Sequence, residues 1–355
     1  MMKKWTIFFI VVVVALIYGL VIDEKSSQSH KNIPDKDIQI VSPLYKHDEN
    51  GLVKREAVLM GSQFVFIAEG DKKTVIDAIK KATEEIRKVE AEVSSWKPGS
   101  DVYLLNQNSG QFVKVSKHTL QLLKIAKTAY KETEGTFDIT IGAVWDLYPF
   151  RDSSKPIPSD LQIQEKLQFV NASKIEINER FSIAKIPENM KINMGGIAKG
   201  YAAGIAIEIM KKNRIKNAAI SAGGDTYLLG KKSTGAWKIS IENPRWEGRN
   251  IEEFYAENIS VATSGDSKRY LIINGKRYGH ILDPRTGKPA NDAQSVTIIT
   301  KNPTLADVYA TAVYVMGATE GLKWVEKRAD VEALIVDANG NVHKSSAWDN
   351  VIGAR

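Results

Sequence analysis

The sequence predicts an α+β fold of antiparallel hairpins with flanking helices. Val75, Ile79, Ala82, Ile86, Val89 and Val93 recur at spacings of three and four, the period of a helix with one buried face. Residues 237–241 alternate apolar and polar with period two, as a half-buried strand does. Asn274-Gly275 lies between two strand-like runs and is a strong signal for a two-residue hairpin turn.

A chain of 355 residues holds one large or two ordinary domains with a sizeable core. Its 43% hydrophobic and 26% charged residues are those of a folded protein. The 49 Lys and Arg exceed the 42 Asp and Glu, for a net charge of +7, but they are scattered and form no aromatic-flanked basic stripe. No nucleic-acid partner is expected on that ground. The absence of cysteine excludes disulfides, thiolate metal sites, cysteine nucleophiles and a lipid-modified N-terminal Cys.

Lys3 and Lys4 precede residues 5–22, an uncharged run rich in Val, Ile and Phe. Its length suits a transmembrane anchor or a long signal-peptide core, and no small-x-small cleavage site follows. The expectation is an uncleaved anchor with the body on the extracytoplasmic side, or a secreted protein if the segment is cleaved. Residues 23–53 are polar, carry His30 and His47, and are expected to be a tether before a domain of residues 54–355.

Within that domain, residues 57–67 form two strand-like runs hinged at Gly61, and Asp71 caps the first helix. Residues 94–106 are expected to be a loop. A short strand at 112–115 follows, then a helix that Ser116 caps and Gly135 stops. Residues 151–190 form an insert with a short helix and a hairpin. Residues 191–204 leave a strand, pass Gly195 and Gly196, and enter a helix expected over 197–212. Strands follow at 217–221, 259–262 and 296–300, the first of them ending in the turn Gly223-Gly224. Asn302-Pro303 starts a helix that runs to Gly317, a second covers 319–328, and a last hairpin turns at Asn339-Gly340.

The stretch 191–204 carries the sharpest chemical signal. Glycines let backbone approach a ligand closely, and the N–H groups of a helix start favour an anion. The spacing is neither G-x-G-x-x-G nor a P-loop, because Tyr201 follows Gly200. A phosphate site and tight packing of Gly200 and Gly204 on a neighbour both remain open. Asp307 and Thr311, four apart, put a carboxylate and a hydroxyl on one helix face, where they suit a hard cation such as Mg²⁺ or a plain polar surface. His280 stands between a hairpin and a loop holding Asp283 and Arg285.

Their order along the chain adds a further observation. Met60-Gly61-Ser62, Gly135-Thr136-Phe137-Asp138, residues 193–200, Gly223-Gly224-Asp225, residues 262–266, residues 280–287 and Asp307 with Thr311 together resemble the ApbE family, the FAD:protein FMN transferases. The resemblance spans about residues 54–345. It implies a T-fold-like α+β architecture and FAD bound as substrate with Mg²⁺ at its phosphates. Metal ligands are implied at Asp307, Thr311 and the Ala198 carbonyl. Flavin contacts are implied at Met60, Gly61, Trp96, Asp138, Gly195, Gly196, Lys199, Gly224, Asp225, Ser264 and Gly265, and catalytic roles at His280, Asp283 and Lys199. The implied reaction moves FMN to a Thr or Ser hydroxyl of an acceptor protein carrying an Asp-x-x-Ser/Thr-Gly-Ala-Thr segment. Two alternatives use the same residues: a pyrophosphatase giving FMN and AMP, and a flavin-binding surface protein without turnover.

Overall fold

The computed structural model describes residues 46–47, 51–152, 154–273 and 275–352. The expected anchor and most of the tether lie outside them, and among the described residues no helix is long and apolar enough to cross a membrane.

In chain order the elements are β1 (Lys46–His47), β2 (Leu52–Leu59), β3 (Ser62–Glu69), α1 (Lys72–Val93), α2 (Asp101–Gln107), β4 (Val113–Lys114), α3 (Lys117–Glu132) and α4 (Gly142–Trp145). There follow α5 (Asp160–Leu167), β5 (Glu176–Asn178), β6 (Ile183–Lys185), α6 (Ala198–Lys212), β7 (Asn217–Ala222), β8 (Asp225–Leu229), β9 (Trp237–Glu242) and β10 (Asn250–Ala256). The chain closes with β11 (Ser260–Gly265), β12 (Tyr270–Ile273), β13 (Lys276–Gly279), β14 (Ala293–Thr300), α7 (Pro303–Val325), β15 (Glu332–Asp337), β16 (Val342–Lys344) and α8 (Trp348–Val351).

Nine strands form one sheet in the order β1-β2-β3-β7-β8-β11-β14-β15-β16, with neighbours antiparallel. The pairing begins before Lys54, since Lys46 stands opposite Lys54 in the β1–β2 ladder. Alternation along the strands gives the sheet two apolar faces. Phe64, Phe66 and Ile220 join Ile79, Ile86 and Val313 in the core beneath α1, α6 and α7. On the other face Ala219, Leu228, Val261 and Ile299 meet Trp237, Ile239 and Phe254 of the separate β9–β10 hairpin. Sequence reading anticipates β9 but neither β10 nor its departure from the main sheet.

Local chemistry explains the boundaries. Met60 (φ 53°) and Gly61 (φ 66°) form the tight β2–β3 turn, whose two positive φ values suit the twist of a hairpin. Asp71 Oδ2 accepts the Thr74 N–H at 2.9 Å, and Asn302 Oδ1 accepts those of Thr304 and Leu305 at 2.9 and 3.2 Å, the expected caps of α1 and α7. Gly317 (φ 73°) breaks α7 in two, as expected.

One expectation is corrected. Residues 94–106 are not all loop, because α2 covers Asp101–Gln107. Ser100 caps it by accepting the Tyr103 N–H, Val102 and Leu105 bury one face, and Asp101 Oδ2 holds Ser116 N and Thr119 Oγ1, each at 2.7 Å. So short a helix is stabilised by its tertiary contacts rather than by its own periodicity.

Gly200 fixes how closely α6 approaches α7. A Cβ there would stand 2.5 Å from the Pro303 carbonyl oxygen and 2.7 Å from Asp307 Cβ. Gly200→Ala gains about 1 kcal/mol of helix propensity. The clash with backbone outweighs it, so the variant should lose on the order of 1–3 kcal/mol. Thermal unfolding checks this, and an unchanged or raised Tm would refute it.

Candidate active site

Three turns and two helix starts converge at one end of the sheet. The Lys199 ammonium, in the first turn of α6, lies 3.2 Å from Asp225 Oδ2 and 3.4 Å from Asp307 Oδ1. Both carboxylates are buried, at 4% and 3% exposure, where a lone charge would be costly. Asp225 Oδ1 also accepts the Thr263 N–H at 2.8 Å, and Asp307 Oδ2 accepts the Gly200 N–H at 2.9 Å. Burial alone would lower the Lys199 pKa, but Asp307 and Asp225 overcome it and hold the ammonium above its ordinary range. Burial pushes the Asp225 carboxyl up, Lys199 pulls it down, and Asp307 pushes it up again. Two buried carboxyl groups share one ammonium.

Thr311 lies one turn beyond Asp307 on α7, and its Oγ1 is 3.2 Å from Ser264 Oγ. The approach of α6 to α7 needs a glycine again, since a Cβ on Gly196 would stand 3.1 Å from Thr311 Oγ1 and 3.2 Å from Phe137. The β7–β8 turn closes another side: a Cβ on Gly223 would lie 3.3 Å from Ser62 and 3.8 Å from Lys199 Cδ. Gly224 (φ 110°) follows, with Lys268 Nζ 3.3 Å from its Cβ position. The structure therefore gathers Gly61 with Ser62, Gly196, Lys199, Gly223 with Gly224, Asp225, Ser264, Asp307 and Thr311. The packing reading of residues 191–204 holds at Gly200, whose close approach to α7 brings Asp307 to Lys199. Ile197 and Ala198 turn their N–H groups back onto the Met194 carbonyl, at 3.2 and 3.0 Å.

His280 leaves β13 with its ring fixed by its neighbours. Nδ1 is 3.1 Å from the Arg269 carbonyl, which can only accept, so Nδ1 carries the proton and Nε2 keeps its lone pair. Burial, the Arg269 charge and Lys199 push its pKa down to about 4, against opposite effects of the hydrogen bond to the Arg269 carbonyl and of Asp266. The imidazole is thus neutral at pH 7. Trp145 Nε1 donates to the His280 carbonyl at 3.0 Å. The α4 segment and α5 support this loop: Tyr148 Oη donates to Gly287 O at 3.0 Å, and Val144, Tyr148, Ile163 and Leu282 form a small core.

Other expected site residues are occupied differently. Asp283 is bound by Arg285, whose Nε lies 3.0 Å from Oδ1 and whose Nη2 lies 2.9 Å from Oδ2, inside the 283–287 turn. Asp138 Oδ1 accepts Thr140 N and Oγ1, and Oδ2 accepts Ala172 N at 3.1 Å, so it organises two loops, with burial raising its pKa. Trp96 is 59% exposed and stacks on the Arg151 guanidinium at 4.7 Å, with Trp145 on Arg151 at 4.9 Å. Sequence reading missed Arg151, Arg269 and the role of Trp145, and no spacing pointed to them.

Trp145→Phe keeps the ring and removes the donor to His280. A neutral hydrogen bond is worth about 1 kcal/mol, so kcat should fall by about 5-fold with the KM of the small substrate unchanged. The acid limb of the pH profile should move up from about 4 as the histidine loosens. A proportional change in KM with no shift of that limb would refute the positioning role.

A hard cation fits this donor set. Asp307 Oδ1 and Thr311 Oγ1 are oxygen donors a helical turn apart, the Ala198 carbonyl belongs to the facing helix start, and two carboxyl groups stand beside a single ammonium. Among the described residues no group of three or more His, Asp or Glu forms a metal cage without such added oxygens.

A model of the ApbE family matches residues 60–335. The FAD:protein FMN transferase of Vibrio cholerae serotype O1 is 30% identical over 262 residues, 72% of this chain and 77% of that protein. That of Haemophilus influenzae is 30% identical over 274 residues, 74% of this chain and 79% of its own length. Among solved structures, the ApbE protein of Thermotoga maritima superposes with a TM-score of 0.80 at 29% identity, covering 85% of this chain and 100% of that one. With the motifs assembled around Lys199 and the family model spanning most of the sequence, the chain belongs to the ApbE family.

Proposed function

We propose that the protein transfers the FMN half of FAD to a Thr or Ser hydroxyl of an acceptor protein and releases AMP. The observation that carries this reading is the buried Lys199 ammonium between Asp225 and Asp307, beside the hydroxyls of Thr311 and Ser264. The names of the family relatives support it.

In this reading the acceptor oxygen attacks the phosphorus on the FMN side of the pyrophosphate. The bond from that phosphorus to the bridging oxygen breaks, and AMP leaves with the oxygen. His280 Nε2, neutral at pH 7 and free to accept, takes the hydroxyl proton. Asp283 keeps its ion pair with Arg285 and shapes the turn. Lys199 faces the phosphates, and Gly61, which has open space where a Cβ would stand, lets the flavin approach the β2–β3 turn. Asp307, Thr311 and the Ala198 carbonyl would hold Mg²⁺, which supplies charge neutralisation at the pyrophosphate. Phosphoryl transfer of this kind depends chiefly on positioning and charge.

The experiment combines the protein, FAD, Mg²⁺ and an acceptor with an Asp-x-x-Ser/Thr-Gly-Ala-Thr segment, and follows flavin fluorescence on a denaturing gel. A fluorescent acceptor band with stoichiometric AMP supports the transferase. AMP and free FMN without a band would assign the pyrophosphatase instead, and intact FAD would leave only binding. The apolar run at residues 5–22 adds membrane attachment with an extracytoplasmic body, which protease accessibility of intact cells tests.

A further inference from the structure

The flavin chemistry leaves the β12–β13 hairpin unexplained. Its two strands form a sheet of their own that joins no third strand among the described residues. Ile272 is 62% exposed and Tyr270 39%. From Ser267 to Leu282 the chain carries four cations, Lys268, Arg269, Lys276 and Arg277, and no Asp or Glu.

This hairpin is joined to the chemistry at its base. His280 follows β13, and the Arg269 carbonyl just before β12 accepts both the His280 backbone N–H, at 3.3 Å, and Nδ1–H, at 3.1 Å. Asp266 binds Arg245 through contacts of 2.6 and 2.9 Å, and Arg277 Nη1 donates to the Asp266 carbonyl at 2.9 Å. Arg245 thereby brings the tip of the β9–β10 hairpin alongside, with Trp246 61% exposed. Exposed Trp, Tyr and Ile interleaved with Arg are the composition of an interface rather than of a solvated loop. At about 3.3 Å per residue, the four residues of β13 carry a bound segment roughly 13 Å from the tip to His280.

We infer that this basic hairpin, with Ile272 exposed on β12, is the docking surface for the acceptor protein, which presents an acidic segment beside the hydroxyl it offers to His280. The inference rests on the transferase reading. An anionic membrane surface would also attract the cations, but one exposed isoleucine is little apolar area for a membrane and the base of the hairpin is occupied by the reacting histidine, which favours a polypeptide.

The test uses the whole protein and two synthetic peptides, each with one Thr, flanked by Asp and Glu in the first and by Lys in the second. FMN transfer to peptide and AMP release from FAD are followed together at low and high salt. The acidic peptide should accept FMN with an apparent KM that rises with salt, and the lysine peptide should be a poor acceptor. The doubly substituted Ile272→Glu, Lys276→Glu protein should raise the KM for the acidic peptide about 10-fold, while the KM for FAD and the kcat at saturating peptide stay at the parental values. Lys276→Ala alone should give a smaller rise in the same direction, which guards against misfolding of the double variant. Equal use of both peptides, or an unchanged KM in the variants, would overturn the docking surface and leave the transferase reading standing, whereas AMP release with neither peptide accepting FMN would assign the pyrophosphatase and overturn both. Hairpin-dependent binding to phosphatidylglycerol vesicles without peptide discrimination would assign it to a membrane. Failure of the parental protein to consume FAD would overturn the transferase reading itself.

Discussion

Replacement of Asp307 by Asn should lower FMN transfer on the order of 10³-fold, about 4 kcal/mol of transition-state stabilisation. The substitution keeps the shape and an oxygen to accept the Gly200 N–H, now made at 2.9 Å, but removes the charge. Lys199 would then keep Asp225 as its one carboxyl partner, and the proposed cation would lose its acidic ligand. Two measurements separate loss of chemistry from loss of fold. Thermal unfolding should show a modest change, because the packed contacts of α6 on α7 remain. The Mg²⁺ concentration giving half-maximal AMP release should rise steeply, and excess Mg²⁺ should restore part of the rate. A variant with parental turnover and parental Mg²⁺ dependence would remove Asp307 from the metal site. Thr311→Val should move the same two readings in the same direction by less, since a hydroxyl contributes less than a charge.

The parts of this site that could be read from sequence are those where local chemistry dictates conformation. Met60-Gly61 and Gly223-Gly224 announce tight turns because their positions need positive φ, and Asp71, Ser116 and Asn302 announce helix starts because their side chains satisfy free N–H groups. Asp307 and Thr311 could be placed on one helix face by spacing alone. The partners of Lys199 could not, because Asp225 lies 26 residues away and Asp307 108, and no local rule joins them. For the same reason Asp138 and Asp283 look like site carboxylates in sequence and prove to be held by backbone donors and Arg285. The α2 helix escaped notice because its stability comes from Asp101 gripping Ser116 and Thr119. Resemblance to a family supplied the order of the motifs; the three-dimensional contacts show which group each of those carboxylates is paired with.

His280→Ala should lower FMN transfer by about 10²–10⁴-fold if Nε2 removes the acceptor proton. The parental pH profile carries the more specific test. With its pKa pushed down to about 4, chiefly by burial, the imidazole is neutral across the physiological range. Transfer should therefore be flat from pH 6 to 8 as far as this group is concerned, and should fall only as pH drops towards about 4. Were the histidine at its ordinary pKa of about 6.5, the fall would begin two units higher. Stability is linked to the same shift. The unfolded chain binds the proton at about 6.5 and the folded chain only near 4, so the unfolded state holds more protons in between. Stability from this group is full above pH 6.5, declines as pH falls towards about 4, and changes no further below it. The whole decline is of the order of 3 kcal/mol, as 1.4 kcal/mol per pKa unit requires. Denaturant unfolding at pH 7 and pH 5 should show this dependence in the parental protein and much less of it in His280→Gln. A parental acid limb near 6.5, or equal pH dependence in both proteins, would mean that the folded chain does not hold the His280 pKa down.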